Sequence, residues 1–132
     1  MSKDILYSSA ARTTLAGGVD QLANAVTATL GPAGRNVILE QDQGSPLSTK
    51  DGVTVAKSIE LENRVANAGA QIVKQAAIKT AEEAGDGTTT STLLAQSILN
   101  EGLENIIQGS NAVEVKRGID KAVNSIVDYL DE

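Results

Sequence analysis

At 132 residues and 41% apolar content the chain has the length of one domain and the material to bury a core. Its 11 Lys+Arg against 17 Asp+Glu leave a formal charge of −6, which argues against nucleic acid or an acidic membrane as the main partner, and two tyrosines are too few to stack bases. Cysteine and histidine are absent, which excludes disulfides, the usual zinc sites, histidine-ligated haem and Ser-His-Asp or Cys-His nucleophiles; any chemistry runs on carboxylates, lysines, hydroxyls and a bound metal.

Residues 1–7 lack the apolar stretch of a secretory signal, and no segment approaches the length of a membrane span, so a cytoplasmic protein is expected. No internal repeat or low-complexity run is present. Residues 3 to 7 alternate as a short edge strand would. From Ser9, apolar residues at Ala11, Leu15, Val19, Leu22, Val26 and Leu30 follow helical steps. Gly17 and Gly18 interrupt that helix at about 1 kcal/mol each relative to alanine, which points to a close crossing with another helix. Gly31-Pro32 ends it, because the residue before a proline is pushed out of the α region.

Thr29-Leu30-Gly31-Pro32-Ala33-Gly34-Arg35-Asn36 reads either as a plain helix-to-strand turn or as a backbone shelf for a ligand's ribose or phosphates. Asn36–Glu40 and Pro46–Thr49 read as two strands of a hairpin turned at 42–45. Lys50 and Asp51 follow at the strand exit, where they form a surface ion pair or offer a carboxylate to an open site. A short helix is expected over 53–59. A long one then runs to Ala84, with Val65, Ile72, Val73, Ala76 and Ala77 inward and Gly69 on the same face.

The segment Ala84-Gly85-Asp86-Gly87-Thr88-Thr89-Thr90-Ser91-Thr92 is the most informative in the chain. A bland reading makes Gly85 a helix C-cap, Asp86 a turn residue and a threonine the next N-cap. However, one threonine suffices for a cap, and three β-branched residues weaken a first helical turn. The other reading is a seat for phosphate at a helix N-terminus, with Asp86 holding a Mg²⁺ that the phosphate shares. The segment is not a Walker P-loop, since no G-x-x-x-x-G-K-[ST] occurs.

The next helix carries Leu94, Ile98, Gly102 and Ile106, flanked by Ala95, Leu99 and Leu103, a stripe broad enough to be core. Gly109 is its expected C-cap. Asn111 with Glu114 resembles a capping box for a last helix bearing Val115, Ile119, Ala122, Ile126 and Leu130. Asp131-Glu132 sits at the wrong pole of that helix's dipole, so the chain is expected to be cut within a helix.

Taken together, Thr29-Leu30-Gly31-Pro32-x-Gly34-Arg35-Asn36, Thr49-Lys50-Asp51-Gly52-Val53, Ile59-Glu60-Leu61-Glu62, Gly85-Asp86-Gly87-Thr88-Thr89-Thr90 and Lys116-Arg117-Gly118-Ile119-Asp120 closely resemble the start of a group I chaperonin, the GroEL type, over essentially the whole chain. The resemblance implies a mainly α, multihelical equatorial-domain-like bundle with one β-hairpin, residues 1–132 forming the N-terminal part of an ATP-binding domain whose intermediate and apical partners are absent. It implies ATP, Mg²⁺ and K⁺ as cofactors. Asp86 would be the Mg²⁺ ligand, and Gly87, Thr88, Thr89 and Thr90 would hold phosphates. Thr29, Leu30, Gly31 and Pro32 would line the nucleotide, with the Thr29 and Lys50 carbonyls near K⁺. Asp51 would be the carboxylate needed for hydrolysis. The hairpin of residues 36 to 49 would join a small sheet with a neighbouring subunit's termini.

The implied partners are other copies of the chain in a ring, and, for the parent protein, unfolded clients and a co-chaperonin. Two departures stand out: Ala33 replaces the family's common lysine, and Ser110-Asn111-Ala112-Val113 replaces a common Asn-Pro helix start. A second catalytic aspartate of the family lies beyond residue 132, so the fragment alone is expected to be inactive. The competing expectation is a non-enzymatic helical interaction or oligomerisation module that retains the chaperonin scaffold.

Overall fold

The computed structural model describes residues 7–132, so most of the edge strand expected over residues 3 to 7 lies outside the described residues. The elements run α1 (Ser8–Thr27), β1 (Val37–Leu39), β2 (Leu47–Thr49), α2 (Gly52–Ser58), α3 (Arg64–Glu83), α4 (Thr88–Ile107) and α5 (Ala112–Leu130). A mainly helical chain with one hairpin is what the periodicity and the resemblance both predict. None of these helices is long and apolar enough to cross a membrane. The chain divides into two compact units, one ending at Gln96 and the other spanning Ser97–Glu132.

In the first unit α1 and α3 cross closely and α2 lies against both. A Cβ on Gly18 would collide with the Ala66 carbonyl of α3, and one on Gly69 with the Leu15 carbonyl of α1. The two glycines therefore let the helix backbones touch, as the glycine pair in α1 predicts. Gly17 takes no part, having nothing within 4 Å of its Cβ position. The core around the crossing is small and aliphatic: Val19, Leu22, Ala23 and Val26 from α1, Val55 and Ala56 from α2, and Ala66, Ala70, Val73 and Ala77 from α3. A buried valine or leucine contributes about 1.5–3 kcal/mol, so Leu22, Val26, Val55 and Val73 carry most of it.

Of the residues expected inward on α1 and α3, Ala11, Leu15, Val65 and Ala76 are half-buried at its margin, and two are exposed. Leu30 lies past the end of α1, in a turn closed by Thr29 N→Val26 O and Leu30 N→Thr27 O, and is exposed. Ile72 is 56% exposed, because Gly69, Ala70, Val73 and Ala77 already form the contact stripe of α3 and its neighbour Ile72 points about 100° away.

The hairpin pairs antiparallel in the register Val37↔Thr49, Ile38↔Ser48 and Leu39↔Leu47. Asn63 starts α3 by accepting hydrogen bonds from Val65 N and Ala66 N, each 3.0 Å.

The second unit holds the last turns of α4 and all of α5. Gly109 closes α4 with Gly109 N→Ile106 O and Ser110 N→Asn105 O, both 3.0 Å, the paired bonds of a Schellman end. Asn111 caps α5 through Val113 N and Glu114 N, but Glu114 turns its carboxylate to Arg117 at 2.9 Å, so the capping box is half formed. Gly102 of α4 faces Val115 and Ile119 of α5. The stripe expected as core is only partly covered: Leu94 is 56% exposed, Ile98 is also exposed, Ala95, Leu99, Gly102, Leu103 and Ile106 are half-buried, and the one buried residue of α4 is Thr92. No residue of α5 is buried, and Ile126 and Leu130 stand in solvent. An open apolar groove of ≈ 360 Å³ lined by Ile98, Gly102, Val115, Ile119, Val123 and Ile126 runs between the two helices.

Candidate functional site

Three chain reversals converge in the first unit. The first follows α1, where Arg35 N→Ala28 O at 2.8 Å and Gly34 N→Gly31 O at 3.0 Å fold residues 28–35 into a tight shelf. A Cβ on Gly34 would collide with the Thr29 carbonyl, so the shelf closes only on glycine. The second is the exit of β2 into α2. Here Asp51 accepts from Thr54 N at 3.1 Å and from Thr54 Oγ1, both through Oδ2, and its own N–H donates to Thr49 Oγ1 at 3.0 Å. Asp51 is thus the N-cap of α2 through Oδ2 and forms no ion pair with Lys50, while its carboxylate still borders the open hollow described below.

The third reversal joins α3 to α4. Gly85 ends α3 in the left-handed region (φ 74°), and Gly87 (φ 79°) starts α4. The Gly87 carbonyl accepts the first intrahelical bond, from Ser91 N at 2.9 Å, so Gly87 is the cap residue. The threonine expected as the cap is not one. A glycine cap has no side chain to reach the amides of the first turn, and those of Thr88, Thr89 and Thr90 stand ahead of the helical ladder. Asp86 sits beside them, exposed, with Oδ1 accepting from Gly87 N at 2.7 Å.

The threonine hydroxyls have assigned directions. Thr29 is buried and its hydroxyl donates to Val26 O at 2.7 Å. In the 3.3 Å contact between Thr29 Oγ1 and Thr89 Oγ1 the proton therefore comes from Thr89, leaving the lone pairs of that hydroxyl as acceptors. Gly52, first residue of α2, lies so close to Thr89 Oγ1 that a Cβ there would collide with it. The starts of α2 and α4 are thereby held side by side.

Between these reversals lies a polar hollow of ≈ 240 Å³ lined by Thr29, Leu30, Gly31, Lys50, Asp51, Gly52, Asp86, Gly87, Thr88, Thr89 and Thr90. It gathers every residue that the resemblance assigns to nucleotide, cations or hydrolysis except Pro32, which stays outside on the exposed turn. Gly52 was missed as a lining residue; the absence of a side chain where α2 begins is what admits Thr89 Oγ1 so closely. No group of three or more acidic, histidine or cysteine side chains suited to a metal occurs among the described residues. A cation here would rest on one carboxylate, backbone or hydroxyl oxygens and the ligand itself.

The pattern of the TCP-1/cpn60 chaperonin family matches residues 22–132, and the chain belongs to that family. A crystal structure of a group III chaperonin in the open state is similar to it with a TM-score of 0.75 and 31% sequence identity, over 88% of this chain. The chain spans 23% of the length of that relative.

Proposed function

We propose that residues 1–132 are the N-terminal part of the ATP-binding equatorial domain of a group I type chaperonin, and that the hollow seats the phosphates of a Mg²⁺-bound ATP. The observation that carries this reading is the glycine-capped start of α4, whose first amides have no capping side chain, with an exposed carboxylate at Asp86 beside them. A side chain capping that turn would have favoured a plain helix junction. Unpaired N–H groups at the positive end of a helix favour a polyanion instead.

The donor set fits the cofactors. Two carboxylates, Asp51 and Asp86, line the hollow of a chain with net charge −6, so a bare triphosphate would be repelled. Mg²⁺ is bound by one or two carboxylates together with substrate phosphates, and Asp86 has its second oxygen, Oδ2, for that role. The Thr29 and Lys50 carbonyls and the acceptor lone pairs of Thr89 suit K⁺. Cations held by these residues would supply charge neutralisation and polarisation to the phosphates. The chain's own residues orient: the Thr88–Thr90 amides hold phosphate oxygens, Leu30 and Gly31 shelve the nucleotide, and Thr54 holds one oxygen of Asp51 so that the other serves the hydrolytic step.

Ring assembly with further copies, client binding and a lid-like co-chaperonin belong to the parent protein under this reading. Isothermal titration of the 132-residue chain with ATP and Mg²⁺ tests the site. Binding should occur and fall at least about tenfold in Asp86→Ala, the loss of a charged ligand contact. Undiminished affinity in that variant, or none in the unaltered chain, sinks the assignment. The second reading, a helical interaction module, draws on the apolar groove of Ser97–Glu132 and predicts association without nucleotide affinity.

A further inference from the structure

The start of α4 is held in place with little apolar burial. As far as Gln96, α4 contributes one buried residue, Thr92, and its hydroxyl is turned back onto Thr88 O of its own helix at 2.8 Å. Register along the neighbouring helices therefore depends on polar ties, and these differ in quality. Near the hollow they are long: 3.3 Å between the Thr89 and Thr29 hydroxyls, and 3.5 Å from Ser91 Oγ to Ala76 O, a proton that Ser91 shares with Thr88 O at 3.2 Å. Two turns further on, the Gln96 carboxamide donates both protons of Nε2 to α1, to Asp20 Oδ1 at 2.8 Å and to Asn24 Oδ1 at 3.2 Å. Asp20 and Asn24 are one turn apart on α1. A single amide bridging both fixes α4 along α1 as well as against it, and the bond to a carboxylate is the strongest kind in the set.

We infer that Gln96 is a positioning residue for the hollow: by bridging Asp20 and Asn24 it sets the register of α4, and so the placement of the Thr88–Thr90 amides about 12 Å away along a rigid helix. The inference rests on the reading of the hollow as a nucleotide site only for its effect on affinity. Its structural half stands without that reading. Gln96 touches nothing in the hollow and acts through α4 alone.

Four forms of the 132-residue chain test it: unaltered, Gln96→Met, which keeps length and loses both bonds, Gln96→Glu, which sets an acid against Asp20, and Gln96→Glu with Asp20→Asn, which lets the amide at position 20 donate to the new carboxylate. Two readouts are needed, amide hydrogen exchange of Ser91 and Thr92 without ligand and Mg²⁺-ATP affinity by calorimetry. The single variants should exchange faster at Ser91 and bind about tenfold more weakly, with the double variant restoring both to within about threefold. Exchange and affinity unchanged in Gln96→Met, or faster exchange that the double variant fails to reverse, overturns the inference. If the unaltered chain binds no ATP the nucleotide reading fails by itself, and the exchange data still decide for or against the bridge.

Discussion

The Asp51 carboxylate takes two hydrogen bonds from Thr54 through one oxygen, Oδ2, which makes it a helix cap as well as a wall of the hollow. The two roles separate by substitution, because asparagine caps a helix about as well as aspartate while carrying no charge. Asp51→Ala should lower stability by about 1 kcal/mol in urea denaturation, and Asp51→Asn by less than about 0.5 kcal/mol. An equal loss in both would mean that the charge itself stabilises the fold. The sequence placed Asp51 at a strand exit next to a helix, which is where an N-cap stands. Nothing local revealed that Thr54 would supply both of its donors, since the hydroxyl's direction follows from the turn geometry. At Thr88–Thr90 the residue types marked a helix start correctly, but the cap fell to Gly87, whose positive φ follows that of Gly85, so the ladder begins one residue earlier than a cap at Thr88 would start it.

Among the elements, the crossing of α1 and α3 decides most of the architecture. Gly18 and Gly69 bring backbone against backbone, whereas Gly17, one residue away, meets nothing. Adjacent glycines should thus respond with opposite sign. Gly18→Ala should cost about 2 kcal/mol or more by forcing the helices apart, and Gly17→Ala should stabilise by up to about 1 kcal/mol through helix propensity. Thermal unfolding of the two single variants checks this, and a matching loss in both would place the contact elsewhere. Helix limits were legible because their signals are local: Asn63 and Asn111 cap, Gly109 terminates, and Gly31-Pro32 blocks continuation. The face turned to the crossing was harder to read in α3, where Ile72 and Val73 are both apolar and neighbours in sequence. The close approach at Gly69 selects Val73 and leaves Ile72 in solvent.

On the scale of the molecule, the second unit exposes an apolar surface over Ile98, Val123, Ile126, Val127 and Leu130 that its own residues do not cover. Surfaces of this kind drive association. Light scattering after size exclusion should show a concentration-dependent mass above that of the 13.6 kDa chain, reduced toward the monomer by Ile126→Glu. A strictly monomeric unaltered chain contradicts this. The 23% coverage of the group III relative leads, under the proposed function, to a further expectation. The chain alone should seat nucleotide yet hydrolyse it negligibly, because positioning of the attacking water draws on residues of the parent outside these 132. Robust Mg²⁺-dependent phosphate release by the pure chain would refute it.

What the amino-acid order determined by itself was the sequence of helices and hairpin, most of their ends, and the set of residues that could form a phosphate seat. Those features depend on interactions within about five residues, where capping, proline sterics and periodicity act. Tertiary structure alone decided which glycine of the pair makes the crossing, that the stripe of α4 stays partly open, that Pro32 falls outside the hollow, and that Gln96 reaches Asp20 and Asn24 across more than 70 residues of chain. Each of these depends on where one helix meets another. That is settled by close approach between backbones distant in sequence, and no local pattern encodes it.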